Sequence, residues 1–204
     1  MRLGEAAAVS DILSTRPALV VIATGSVPVS RPAPQSKGSI SEVGPYDDGQ
    51  PEGHVLIRDE MGGLAALLTA ERFSLSSERV SLVTSMLHPG EGDGLTTVYP
   101  LIRDCAARGI KITDRAKVKM IEGRTVHLDG VFGEAREPIE RVDRIVSLLD
   151  MKAEDNLVQP LRAGGLNVNV IGDARLPRSV AEAVSDAARH CVPAKEHGAK
   201  IRNF

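Results

Sequence analysis

The sequence predicts an α/β protein in which one complete α/β unit is inserted into another, and three observations predict it. Short runs dominated by Val, Ile and Leu recur along the chain at 18–23, 54–57, 80–83, 145–149 and 168–171. Runs of this length without alternation suit strands buried on both faces of a parallel sheet. Between several of them lie stretches dense in strong helix formers, such as Leu64-Ala65-Ala66-Leu67-Leu68. A stretch rich in Pro, Gly and Ser, residues 26–53, then separates the first strand from the rest.

Composition narrows the partners. The 204 residues carry 42% hydrophobic side chains but only 2% aromatic ones and no Trp. The core must therefore be aliphatic, and there is no aromatic platform for stacking single-stranded nucleic acid. A formal net charge of −2 with no basic block excludes nucleic acid and anionic membrane as main partners. Cys105 and Cys191 stand far apart, with no CxxC or Cys/His cluster to bind zinc or iron–sulfur. No apolar run approaches ~20 residues and no secretory leader is visible, so a reduced, cytoplasmic location is expected.

In chain order, residues 1–16 hold a short helix. Ala18-Leu19-Val20-Val21-Ile22-Ala23-Thr24-Gly25 is a strand, expected to be buried on both faces, with Pro17 before it and Gly25 after it. Residues 36–53 are assigned as linker, outside any core. A strand at 54–57, a Gly62-Gly63 turn, a helix at 64–72 and a strand at 79–84 make a βαβ unit of Rossmann type. A helix follows at 95–108, ended by Gly109, then a strand at 110–113. Residues 117–121 and 125–128 form an antiparallel hairpin around Glu122-Gly123-Arg124, and 144–149 is one more buried strand. A short helix is expected within 155–163. The strand Val168-Asn169-Val170-Ile171 then runs into Gly172-Asp173-Ala174 and a helix at 179–190, with a frayed tail from Pro193. The domain reading is 1–35 with 151–192 for the outer unit, 54–150 for the inserted one, and 193–204 for the tail.

Two places bear on nucleotide chemistry. A dinucleotide site needs G-x-G-x-x-G after its first strand, so that the backbone can approach a diphosphate. The matching positions after 54–57 are Arg58, Glu60 and Gly63, and only the last is Gly. Glu60 and Asp59 put negative charge where a diphosphate would lie, at a cost of about 1–4 kcal/mol each. NAD(P) is not expected there. The second place is Gly172-Asp173, at the end of a strand and the mouth of a helix. A carboxylate there accepts ribose-type hydroxyls, and amides at about 174–180 face phosphate. The alternative is Asp173 as a structural cap of the last helix.

These residues carry a resemblance. Val20-Val21-Ile22-Ala23-Thr24-Gly25-Ser26-Val27-Pro28, Asp59-Glu60-Met61-Gly62-Gly63, His88 with Tyr99-Pro100, and Ile171-Gly172-Asp173-Ala174 with Pro177-Arg178 fall in the order of one family. The chain resembles, over about residues 11–190, the C-terminal part of the trimethylamine dehydrogenase and bacterial dienoyl-CoA reductase group, the multidomain NADH:flavin oxidoreductases related to old yellow enzyme. The resemblance implies a glutathione-reductase-type small nucleotide-fold domain inserted in a partial FAD- or ADP-binding-type domain. It implies that Thr24, Gly25, Gly172, Asp173 and Arg178 line a pocket for FAD or ADP, shared with a partner chain.

The family's FMN-carrying TIM barrel, 4Fe–4S cysteines and first FAD-binding glycine motif do not match anything in this sequence. The resemblance therefore implies a small subunit of a flavin-dependent dehydrogenase, with FMN and the 4Fe–4S cluster on a larger subunit. The chain would also help dock an electron-transfer acceptor. The opening Met favours a natural subunit over a fragment. The alternatives are a stand-alone NAD(P)H-dependent flavin reductase and a non-redox structural or regulatory ADP-binding module. No catalytic residue and no metal ligand is assigned; His88 and Tyr99 read as loop packing, and Arg178, which could meet a phosphate, reads sooner as a surface ion pair.

Overall fold

The computed structural model describes residues 3–29, 36–37, 40–44, 49 and 53–196, excluding the side chains of 36–37 and 191–196. The chain divides into two units, Met1–Pro28 with Met151–Phe204 and Val29–Asp150.

The first unit begins with α1 (Val9–Thr15), β1 (Val20–Ile22) and β2 (Ser26–Pro28). Arg16 ends α1 in the left-handed conformation, at φ 42°. The chain then enters the second unit through β3 (Ser36–Lys37) and β4 (Ser41–Val43). There follow β5 (His54–Asp59), α2 (Ala65–Ser74), β6 (Arg79–Thr84), α3 (Leu95–Ala107) and β7 (Lys111–Thr113). The hairpin β8 (Ala116–Glu122) and β9 (Thr125–Gly130) comes next, and β10 (Arg144–Leu148) closes the unit.

The main sheet has the order β4-β10-β5-β6-β7, and every pairing in it is parallel. Alternate residues serve alternate faces. Val55 and Ile57 of β5, Val80 and Leu82 of β6, and Val146 and Leu148 of β10 pack with Leu67, Ala70 and Phe73 of α2 and Val98 and Cys105 of α3. Leu56, Val83 and Ile145 face the other way, onto Val118 and Ile121 of β8 and Val126 and Leu128 of β9. Both faces are thus covered, which is why successive positions of these strands carry apolar residues instead of alternating strictly with polar ones. All six residues of β5 are buried.

The chain returns to the first unit through β11 (Met151–Ala153), which pairs antiparallel with β2. Then come α4 (Val158–Ala163), β12 (Val168–Val170), a single 3₁₀ turn at Gly172–Ala174, and α5 (Val180–Glu196). β12 lies parallel to β1, and Ile12, Ile22, Val158, Leu161, Val168 and Ala174 form the small core of this unit.

Three expectations need correction. Residues 36–53 are not simply a linker, because β3 pairs with the hairpin and β4 is an edge strand of the main sheet. The run Ile40 to Val43 is short and sits among turn residues, yet it alternates, so Ile40 meets the hairpin-side core and Val43 the helix-side core. An edge strand needs only one neighbour and tolerates such punctuation. The strand after Pro17 is shorter than expected, and Val20 and Val21 stay half-exposed. Among the described residues its only neighbour is β12, and a two-stranded pair cannot cover both faces. Finally, α5 continues through Pro193 to Glu196, so the tail is helical at its start; residues 197–204 lie outside the described ones.

Candidate functional site

The site in the first unit is built where β1 and β12 end. In parallel sheets the crevice beyond the carboxyl ends of the strands is the usual ligand position. Here it is a cavity of about 340 Å³, lined by Ala23 and Gly25 after β1, Ile171, Gly172 and Asp173 after β12, and Arg178, Ser179, Val180 and Ala183 at the start of α5. Gly172 sits at φ +60°, a conformation that side chains rarely adopt, and packs against Ala183.

Gly25, Gly172, Asp173 and Arg178 are therefore brought together. Thr24 points elsewhere: its hydroxyl donates to the Glu154 carbonyl, and the Glu154 N–H donates to the Gly25 carbonyl at 3.0 Å. That pair of bonds straps the turn after β1 to the chain after β11. Asp173 holds its two oxygens apart in function. Oδ2 accepts the Ser26 hydroxyl at 3.2 Å, and Oδ1 accepts the Arg178 N–H at 3.2 Å. Each oxygen thus already accepts one donor of the chain, and the carboxylate ties down the segment leading into α5.

Of the groups expected to face phosphate, the Arg178 and Ser179 N–H groups and the Arg178 guanidinium are already engaged by carboxylates of the chain. Asp186, buried on α5, accepts the Gly172 N–H at 3.3 Å, Arg175 Nη1 at 3.1 Å and Arg178 Nη2 at 2.7 Å. Burial pushes the Asp186 carboxyl up, but Arg178, Arg175 and the Gly172 N–H outweigh it and hold the group below its ordinary value. Glu182 accepts the Ser179 N–H at 3.2 Å and the Ser179 hydroxyl. Arg178 Nε donates to the Leu176 carbonyl at 3.2 Å.

Asp186, Ser26 and the Ser179–Glu182 pair were not singled out from the sequence. Ser179-Val180-Ala181-Glu182 is a capping-box pattern and was legible there. Asp186 and Ser26 had no local signal, since the partners of Asp186 lie 8, 11 and 14 residues away and that of Ser26 lies 147 away.

The corresponding turn in the second unit, between β5 and α2, is closed in the same way. Asp59 is buried, and its Oδ1 accepts the N–H groups of Met61 and Gly62, each at 3.0 Å. Its Oδ2 accepts the Thr84 hydroxyl at 2.8 Å. Burial pushes the Asp59 carboxyl up, and these hydrogen bonds only partly oppose it. Asp93, from the loop before α3, accepts the Leu64 N–H at 2.9 Å and so caps α2. Glu60 does not share this role. Its Oε1 meets Arg58 Nε at 2.9 Å and Nη2 at 2.5 Å, and Arg58 also reaches Glu42 at 3.1 Å. Gly62, at φ +72°, is the glycine that the turn uses, because a Cβ there would fall 2.9 Å from Met86 Cγ.

His88 Nδ1 lies 3.0 Å from the Pro89 carbonyl, a local loop contact, and Tyr99 is exposed. Among the described residues no group of three or more His, Cys, Asp or Glu is placed to hold a metal. Among them, too, no helix is long and apolar enough to cross a membrane.

By class, the chain has a mixed α/β fold with a five-stranded parallel sheet, shared with solved flavoprotein reductases such as the HOCl-induced flavoprotein disulfide reductase of Escherichia coli (TM-score 0.63, 15% identity, 90% of this chain and 45% of that one). More particularly, it is similar to histamine dehydrogenase from Rhizobium sp. 4-9, with a TM-score of 0.79 and 21% identity over 98% of this chain. It is equally similar to 6-hydroxypseudooxynicotine amine oxidase from Pseudomonas geniculata N1, with a TM-score of 0.79 and 20% identity over 100% of this chain. The chain spans 33% and 32% of the length of those two proteins. No family model and no curated protein matches it by sequence. At these identities the likeness establishes the fold.

Proposed function

We propose that the chain is a subunit of a flavin-dependent oxidoreductase that contributes one wall of a pocket for FAD or ADP, while FMN and a 4Fe–4S cluster reside on a larger partner. The observation that carries this reading is the Asp173 carboxylate at the strand-end cavity, with the Ser26 hydroxyl already on Oδ2. The fold shared with a histamine dehydrogenase and an amine oxidase supports it, and supports an amine as the substrate of the assembly.

The residues present fit part of the ligand. Asp173 would accept ribose or ribityl hydroxyls, and the open backbone at Gly25 admits a close approach, since nothing lies within 4 Å of a Cβ there. A cavity of about 340 Å³ suits one segment of a dinucleotide rather than the whole. The phosphate contacts fit less well, because Asp186 and Glu182 already hold the Gly172 and Ser179 amides and the Arg178 guanidinium. The remaining walls and the phosphate ligands are therefore assigned to the partner. A bound flavin would supply electron transfer; this chain's residues would bind and orient it.

A second reading, a redox-silent module that binds ADP or nothing, draws support from those spent phosphate donors. A stand-alone NAD(P)H-dependent flavin reductase is disfavoured by the Asp59 and Asp93 contacts at the β5–α2 turn. The test is purification of the native assembly with visible spectroscopy and mass analysis. A coloured complex with a larger flavin and iron–sulfur chain supports the first reading. A colourless chain that binds ADP supports the second, and saturable NADH binding by the chain alone revives the third.

A further inference from the structure

The first unit holds a second cavity, of about 380 Å³, which shares no lining residue with the one beside Gly172. Five pieces of chain meet there: Asp155 before α4, Gln159 and Arg162 on α4, Asn169 on β12, Arg175 after the 3₁₀ turn, and His190 on α5.

The two cations of this cavity are held in place and keep donors to spare. Arg162 Nη2 donates to the Val168 carbonyl at 3.3 Å, and the guanidinium has no other partner among the described residues. Arg175 Nη1 donates to Asp186 at 3.1 Å, yet its side chain is still 52% exposed. Asp186 also answers Arg178, so one carboxylate faces two guanidiniums and one positive charge is left over. At the cavity beside Gly172 the balance is the reverse, with Asp173, Asp186 and Glu182 around Arg178. Asn169 adds a polar group with no structural duty. Val168 and Val170 turn to the small core, so Asn169 between them turns to the other face. Among the described residues its carboxamide has no hydrogen-bond partner, and neither do the side chains of Asp155, Gln159 and His190.

These groups select a ligand class. Two guanidiniums from separate elements suit an anion with several terminal oxygens, onto which both can fork. The bonds to Val168 and Asp186 pre-orient them, which lowers the rotamer entropy lost on binding. Asp155 repels a second anionic end and accepts hydroxyls, and the two carboxamides both donate and accept. The volume leaves room for a small polyol beside the anion.

We propose that this cavity binds a small phosphomonoester with a hydroxyl-bearing body. Arg162 and Arg175 take the phosphate, and Asp155, Gln159 and Asn169 take the hydroxyls. The assignment stands apart from the flavin reading, because the two cavities have no residue in common.

The test is calorimetric titration of the full chain with ribose 5-phosphate in phosphate-free buffer at low ionic strength, with ribose as the uncharged comparison. Arg162→Gln removes one guanidinium. Asn169→Asp places a negative charge in the cavity without breaking any bond among the described residues, so it keeps the test open if R162Q disturbs α4. Asp173→Asn reports on the other cavity. The expected result is saturable one-to-one binding of ribose 5-phosphate, with ribose at least ~10-fold weaker. R162Q and N169D should each weaken the phosphate ligand by at least ~10-fold, N169D with an unchanged melting temperature, and D173N should bind as wild type does. The proposal is overturned by no saturable binding, by ribose binding as well as its phosphate, or by N169D binding as wild type does. It is equally overturned if binding is lost in D173N and kept in R162Q, which moves the probe to the cavity beside Gly172.

Discussion

Asp59→Ala should destabilise the second unit by more than the loss of one surface carboxylate would. Three donors converge on Asp59: the Met61 and Gly62 N–H groups and the Thr84 hydroxyl. Met61 is 44% exposed, so water can replace the carboxylate at its N–H. Gly62 and Thr84 are buried, and each stranded donor costs about 1–3 kcal/mol. Relief of the buried charge offsets part of this, giving a net loss of about 2–4 kcal/mol.

Asp59→Asn keeps an acceptor for the turn, and its amide can donate to Thr84 Oγ1, so it should stay within about 1 kcal/mol of wild type. At roughly 4 °C per kcal/mol for a unit of this size, Ala should lower the melting transition by about 8–16 °C and Asn by less than about 4 °C. The pH dependence follows from the raised Asp59 value. Its stabilising contribution is full below the ordinary 3.8 and is lost as pH rises through the raised folded value, so wild type gains on the Asn variant in acid. Thermal unfolding from pH 3 to 7, with hydrogen exchange at Gly62 as the local report, checks all of this. An Ala variant that melts like wild type, or an Asn variant as weak as Ala, would refute the reasoning.

Three other outcomes are expected. Asp173→Asn in the native assembly should weaken FAD or ADP binding about tenfold, the worth of a charged hydrogen bond, measured by flavin fluorescence or calorimetry; unchanged affinity removes Asp173 from the site. His54 donates Nδ1–H to the Glu140 carbonyl at 3.1 Å and accepts the Ser81 hydroxyl on Nε2 at 2.9 Å, so it is held neutral. Burial lowers its pKa below 6.5, so stability should fall as pH drops from 6.5 towards the folded value, and His54→Gln should flatten that slope in denaturant titrations. Phe73→Ala, at a side chain 2% exposed between α2 and the sheet, should cost about 3–5 kcal/mol in the same titrations.

The two helix entrances share a physical logic. At the β5–α2 turn Asp59 holds the Met61 and Gly62 amides and Asp93 the Leu64 amide, and before α5 Asp173, Asp186 and Glu182 hold those of Arg178, Gly172 and Ser179. A helix N-terminus attracts anions, and the chain's own carboxylates are at effectively high local concentration. An incoming phosphate must displace them.

What the sequence determined by itself was local. Runs rich in Val, Ile and Leu marked the strands, Gly109 at φ +74° ended α3 as its position required, and the Glu122-Gly123-Arg124 turn set the hairpin. Gly172-Asp173 also marked the cavity, because a glycine turn at a strand end dictates where the next side chain points. Tertiary structure alone decided the rest. β4 joins the sheet only because β10, 105 residues on from Glu42 at Ser147, lies beside it. Ser26 reaches Asp173, and Arg175 and Arg178 converge on Asp186, through folding and not through spacing. Backbone propensity acts over a few neighbouring residues, whereas a buried charge is satisfied by whatever donors the fold brings within about 3 Å; that is why the glycine turn and the Ser179–Glu182 cap could be found in the sequence and the donors gathered on Asp186 could not.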